Sequence, residues 1–165
     1  LGTAMAENES LDLAVQYFQE AYRHQMKGEL DEAVELYRKS IEAYPTAEAY
    51  TFLGWSYSFM GNYDAAIAEC HRAIEIDPDF GNPYNDIGAY LIEKGQIEEA
   101  IPWLEKATRA ARYDNPAFPY FNLGRVWEVK HDYPRALSSY RRAVELDPHY
   151  TLALTGIRRL NALFN

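Results

Sequence analysis

At 165 residues and 19.0 kDa the chain is large enough for one domain, and its 48% hydrophobic content is that of a folded protein. A net charge of −9 argues against a nucleic-acid backbone as main partner, and one cysteine, Cys70, excludes an internal disulfide framework or a cysteine metal cage. No stretch approaches 18 consecutive apolar residues, so no membrane insertion is predicted.

The charge is uneven. Residues 1–82 carry 5 basic and 15 acidic residues, whereas residues 83–165 carry 11 and 10. Turn residues are sparse against Ala- and Glu-rich runs, which favours helices over sheets. The thiol content fits a reducing compartment, so the cytoplasm is the expected location, with the periplasm as the alternative. At the start, LGTAMA lacks the basic and apolar regions of a signal peptide and reads as a cloning remnant. Residues 1–13 are assigned to that remnant and an N-terminal extension.

From residue 14 the chain repeats itself. Tyr17, Tyr50, Tyr84 and Tyr120 open similar segments at spacings of 33, 34 and 36 residues, each followed four residues later by Ala21, Gly54, Gly88 or Gly124. Alanines recur at Ala33, Ala66, Ala100 and Ala136, and small residues at Ser40, Ala73, Ala107 and Ala143. Apolar residues fall at helical intervals on both sides of the Gly61-Asn62 break, so each unit predicts a helix pair. Gly61 and Gly95 sit where a first helix must stop and the chain turn back. Asp77-Pro78 and Asp147-Pro148 end second helices. The small residues let the two helices cross closely, and Tyr57, Cys70 and their equivalents fill the space between. Near-34-residue periodicity is the mark of a stacked array in which each unit buries its apolar face against its neighbours. The units span 14–46, 47–80, 81–116 and 117–150. The third lacks the closing proline, has Arg112 instead, and is extended through Asp114-Asn115-Pro116. The tail 151–165 has Leu154, Ile157, Leu160, Leu163 and Phe164 at helical spacing and predicts a last helix over the exposed edge, with Arg158 and Arg159 in water.

On these residues the chain resembles the tetratricopeptide repeat family over about residues 14–150. The resemblance implies an all-α, right-handed superhelical solenoid of four helix pairs with a C-terminal capping helix. Repeat one departs at Glu20 and His24, where apolar residues are usual.

A second stripe remains once the packing positions are assigned. It runs Val15, Phe18, Tyr22, Met26 in repeat one and Phe52, Trp55, Phe59 in repeat two. Repeat three is polar, with Asn82, Asn85 and Asp86, and repeat four supplies Phe118, Phe121, Asn122, Arg125 and Val129. The resemblance places this stripe on a concave groove for a peptide or helix of a partner protein. Phe59 and Phe121 are then expected as apolar anchors, Trp55 as a stacking wall, Asn85 and Asn122 as donors to peptide backbone, and Arg125 as the partner of a carboxylate or carbonyl. Phe18 and Phe52 are expected nearer the helix–helix seams. The resemblance implies two possible groove chemistries. The carboxylate clamp of chaperone cofactors would fall on Phe18, Tyr22, Phe52, Asn82 and Asp86, or on Thr51, Trp55, Asp86, Phe118 and Asn122; neither frame supplies a cation. The asparagine ladder of O-linked N-acetylglucosamine transferase is matched by Asn122 but not by Asp86 or Phe52.

No motif points to catalysis, a cofactor or a metal. His24, His71, His131 and His149 fall in different repeats, Cys70 sits in a core slot, and Asp31-Glu32 and Glu98-Glu99 open helices, where carboxylates favour the positive dipole end. The expectation is a non-enzymatic interaction scaffold. A recognition module of a larger enzyme and a self-assembling scaffold are the alternatives, so a homo-oligomer stays open.

Overall fold

The computed structural model describes residues 2–165. Among them the chain forms nine helices and no strand: α1 (Gly2–Met26), α2 (Leu30–Ala43), α3 (Ala47–Phe59), α4 (Tyr63–Ile76), α5 (Asn82–Glu93), α6 (Ile97–Thr108), α7 (Ala117–Val129), α8 (Tyr133–Leu146) and α9 (Thr151–Phe164). They fall into two compact units, the first ending at Pro78 and the second running from Asp79 to Asn165.

The turns inside the helix pairs follow one recipe. The residue after each first helix must take a left-handed backbone, and Gly28, Gly61 and Gly95 do so at φ 79, 77 and 78°. In the last pair His131 holds the same conformation at φ 58°, where a side chain is disfavoured. Asn62 and Asp132 then cap the second helices, their side chains accepting from the N–H of Ala65 and Arg135 at 3.2 Å. Asp77 and Asp147 leave the helix in extended conformation, ending α4 and α8 where the Asp-Pro pairs predict.

In the first unit α1 pairs with α2 and α3 with α4, and α2 lies against α3. Ala21, Ala33, Val34, Tyr37 and Leu53 form the core, with Phe18 and Phe52 packed on it. Gly54 faces the Ala66 carbonyl so closely that a Cβ would lie 2.9 Å from it. Residues 2–13 continue α1 as helix.

In the second unit the core is Ala117, Ala136, Tyr140, Ala143, Ala153 and Leu160. Tyr140 is the knob at its centre. A methyl at Gly124 would overlap its ring, and one at Gly156 would come within 2.8 Å of it. The irregular third joint is tied back to the start of the unit. The Arg112 N–H donates to the Asp79 carbonyl at 3.0 Å, the Gly81 N–H donates to the Arg112 carbonyl at 2.8 Å, and the Arg112 guanidinium lies 4.1 Å from the Phe80 ring centre. Tyr113 packs on Gly81, leaving no room for a side chain there. The cap differs from expectation at its end. Leu160 is buried and Ile157 partly so, but Leu163 and Phe164 stay exposed. Phe164, at the end of α9, meets the ring of Tyr133, the first residue of α8, at 5.5 Å.

Candidate functional site: the first-helix faces

In the first unit, the stripe predicted on α1 and α3 is a chain of rings. Phe18 meets Phe52 edge-on at 5.1 Å, Tyr22 meets Phe52 at 5.9 Å, Phe52 meets Trp55 at 5.6 Å, and Trp55 meets Phe59 at 5.0 Å. Burial sorts them into two roles. Phe18 and Phe52 are partly buried against Tyr37 and serve the seam between helices. Phe59 and Tyr22 are 56% and 41% exposed, and Trp55 is half-buried between Phe52 and Phe59. Rings fixed by neighbouring rings lose little freedom when they meet a ligand.

In the second unit the corresponding face is polar and largely satisfied from within. The Asn122 Nδ2 donates to Asn85 Oδ1 at 2.9 Å, the Arg125 Nη1 donates to Asn122 Oδ1 at 3.1 Å, and the Arg125 Nη2 donates to Glu93 Oε1 at 2.8 Å. Asn85 and Asn122 are both buried. The two amides hold α5 to α7. Arg125 does take a carboxylate, that of Glu93 in its own chain.

Asn82 and Asp86 lie one helical turn apart on α5. The Asn82 Oδ1 is buried without a hydrogen-bond partner. Asp86 fills the slot that Phe52 fills one repeat earlier. Burial pushes its carboxyl from 3.8 up to about 7, and only a long 3.4 Å bond from the Asn85 amide opposes that. Phe118 is partly exposed beside Tyr150, and Phe121 packs against both Tyr140 and Tyr150 at 5.7 and 5.1 Å.

Beside Phe121 lies a recess of about 440 Å³, bounded by Phe121, Arg125, Glu128, Val129, Tyr140, Leu152, Thr155 and Arg159. At its floor Tyr140 donates its hydroxyl to Glu128 Oε2 at 2.9 Å, and Arg159 reaches both Glu128 oxygens at 2.7 Å. Arg159 is exposed, as expected, and its half-exposed side chain also forms a wall of this recess. A signal for it was present in the sequence. Leu152, Thr155 and Arg159 each lie 34 residues after Phe118, Phe121 and Arg125, so the tail keeps the phase of the repeat.

Four matches to models described as tetratricopeptide repeat cover residues 1–47, 47–80, 82–114 and 117–150. The chain belongs to the tetratricopeptide repeat family. Among curated relatives, it is 35% identical over 75 residues to the small glutamine-rich tetratricopeptide repeat-containing protein 2 of Mycosarcoma maydis, a match to 45% of this chain and 21% of that one. It is 29% identical over 124 residues to the BBSome complex member BBS4 of Bos taurus, covering 74% and 24%. The chain thus spans roughly a quarter or less of the length of these relatives. Among solved structures, Pseudomonas aeruginosa pilF superposes with a TM-score of 0.83 at 22% identity, over 93% of this chain and 68% of that one. YrrB, described as a tetratricopeptide repeat protein with an unusual peptide-binding site, gives 0.69 at 20% identity over 88% and 74%. These likenesses establish an all-α helical-repeat fold. Proteins of this family are generally non-catalytic interaction modules. Among the described residues no helix is long and apolar enough to cross a membrane.

Proposed function

We propose that this tetratricopeptide repeat chain binds a peptide segment or helix of a partner protein on its first-helix faces, with no catalytic role. The observation that carries this reading is the ring ladder of the first unit. Its inner members, Phe18 and Phe52, already satisfy the helix seam, yet Tyr22, Trp55 and Phe59 extend it outward to solvent. A partner that covers such a ring gains about 1.5–3 kcal/mol from each one it buries, and aromatic residues dominate binding hot spots. Trp55 and Phe59 act as the anchors, and Tyr22 widens the surface on α1. Phe121, wedged between Tyr140 and Tyr150, is mainly structural.

The test is a pull-down with wild type beside a Tyr22→Arg/Phe59→Arg double variant, read by quantitative mass spectrometry. Both positions are exposed, so circular dichroism should show equal helix content. Loss of specific partners in the variant is the expected outcome. Identical partner lists for the two baits would overturn the reading.

A further inference from the structure

The α7–α9 recess carries chemistry that the ring ladder does not. Its lip is apolar on both sides, with Val129 on α7 and Leu152 on α9 each more than half exposed. Its floor is fixed, because Tyr140 is seated against Gly124 and Gly156 and its hydroxyl is held by Glu128. Two guanidiniums, Arg125 and Arg159, stand beside the apolar lip with Glu128 as the one carboxylate in the lining. The lining therefore carries a single excess positive charge in a chain whose net charge is −9. Arg125 also pairs with Glu93, outside the lining, but that carboxylate is 45% exposed. Such a pair contributes little and is readily exchanged for a carboxylate from a ligand. A volume of about 440 Å³ suits one or two side chains.

We propose that the α7–α9 recess binds an internal acidic–aliphatic segment of a partner protein. A Leu, Ile or Phe side chain of that segment enters between Val129 and Leu152, and a neighbouring Asp or Glu meets Arg125 and Arg159. The proposal rests on the reading of the first-helix faces as peptide-binding surfaces, and it names the chemistry one of them selects. It also gives α9 a second task beyond covering the core, since half of the lip belongs to it. A basic segment is repelled here, and one without an apolar side chain leaves Val129 and Leu152 in water.

The experiment uses the full chain as bait for a phage-displayed library of random dodecapeptides, with Leu152→Glu as counter-selection. Enriched sequences are then made as acetylated, amidated, fluorescein-labelled peptides and titrated by anisotropy. The expected motif pairs Asp or Glu with Leu, Ile or Phe inside the peptide. Leu152→Glu should weaken binding at least tenfold, and replacing the peptide's acid by its amide at least fivefold. Val129→Glu, on the opposite lip, must reproduce the loss; both positions are exposed, so neither change disturbs the core. A basic motif, no motif sensitive to Leu152→Glu, or binding that requires a free C-terminal carboxylate would each overturn the proposal. So would a mass that rises with concentration for the chain alone and is restored to monomer by Leu152→Glu, because the occupant would then be a second copy. Tyr22→Arg/Phe59→Arg should leave peptide affinity unchanged. The two readings therefore fail separately: partners lost in that double variant without any Leu152-sensitive peptide would retain the ring ladder and remove this site.

Discussion

The two units use the same repeat with opposite chemistry on their first helices. In the first, Phe18, Phe52, Trp55 and Phe59 form one ring ladder that passes from seam to solvent. In the second, the seam is an amide–guanidinium chain, Asn85 to Asn122 to Arg125 to Glu93. An apolar seam leaves its outer members free to serve as a docking surface. The polar seam uses its amides to join its own helices, and the exposed apolar surface of this unit lies instead around Val129 and Leu152. The amides of that seam thus fix geometry, joining α5 to α7.

The largest expected effect concerns Asp86, the acid in the Phe52 slot. Its folded carboxyl keeps a proton up to about pH 7, whereas an unfolded one releases it near 3.8. Stability contributed here therefore falls as pH rises from about 4 to 7 and stays low above that. Asp86→Asn should raise stability at pH 8 by about 2–4 kcal/mol and leave it unchanged at pH 4. Urea unfolding at the two pH values measures the difference. An equal gain at both would show that burial of charge is not the cause.

A second contrast sits on the tyrosines of repeats one and four. Tyr37 donates to Gln25 Oε1 at 2.6 Å, and Tyr140 donates to Glu128 Oε2 at 2.9 Å, at equivalent places. Gln25 is buried and its Nε2 already lacks a partner, while Glu128 keeps Arg159. Tyr37→Phe should therefore cost about 2 kcal/mol and Tyr140→Phe about 1 kcal/mol, because only the first leaves a buried amide wholly unpaired. Denaturant midpoints of the two variants give the order, and a reversed order would break the comparison.

The smallest effect lies in the turns. His131 alone among the four takes the left-handed conformation without being glycine. His131→Gly should stabilise the protein by about 0.5–1 kcal/mol, less what is lost with the exposed contact of His131 Nδ1 to the Tyr133 hydroxyl. Thermal melts should show a rise of about 1–3 °C. Gly61→His, the reciprocal change in the first unit, should lower the melting temperature.

The helix pairs were legible in the sequence because their determinants are local. A glycine at the turn, an Asp-Pro at the exit and small residues at the crossing each act over a few positions and recur at Gly61, Asp77-Pro78 and Gly54. The ring ladder was legible for the same reason, since Phe52, Trp55 and Phe59 share one face of one helix. The roles of Asn85 and Asn122 were not. Their bond spans 37 positions and depends on the spacing of α5 and α7, which the irregular joint at residues 109–116 sets. The pairing of the exposed Arg159 was hidden for a related reason: its partner Glu128 lies 31 residues earlier, on α7.

Tyr140 carries one further consequence. Its ring is the shared key of two locks, Gly124 on one side and Gly156 on the other, both cut to the width of a hydrogen atom. Lengthening this chain by inserting a repeat after α8 would place a foreign helix against that ring, and any residue larger than glycine at the mating position would be pushed away. Transplanting α9 behind a helix that carries Leu104 or Cys70 in place of the ring would leave a gap instead. The last three helices therefore travel as a set, whether in a chimera made at the bench or in the duplications by which such arrays grow.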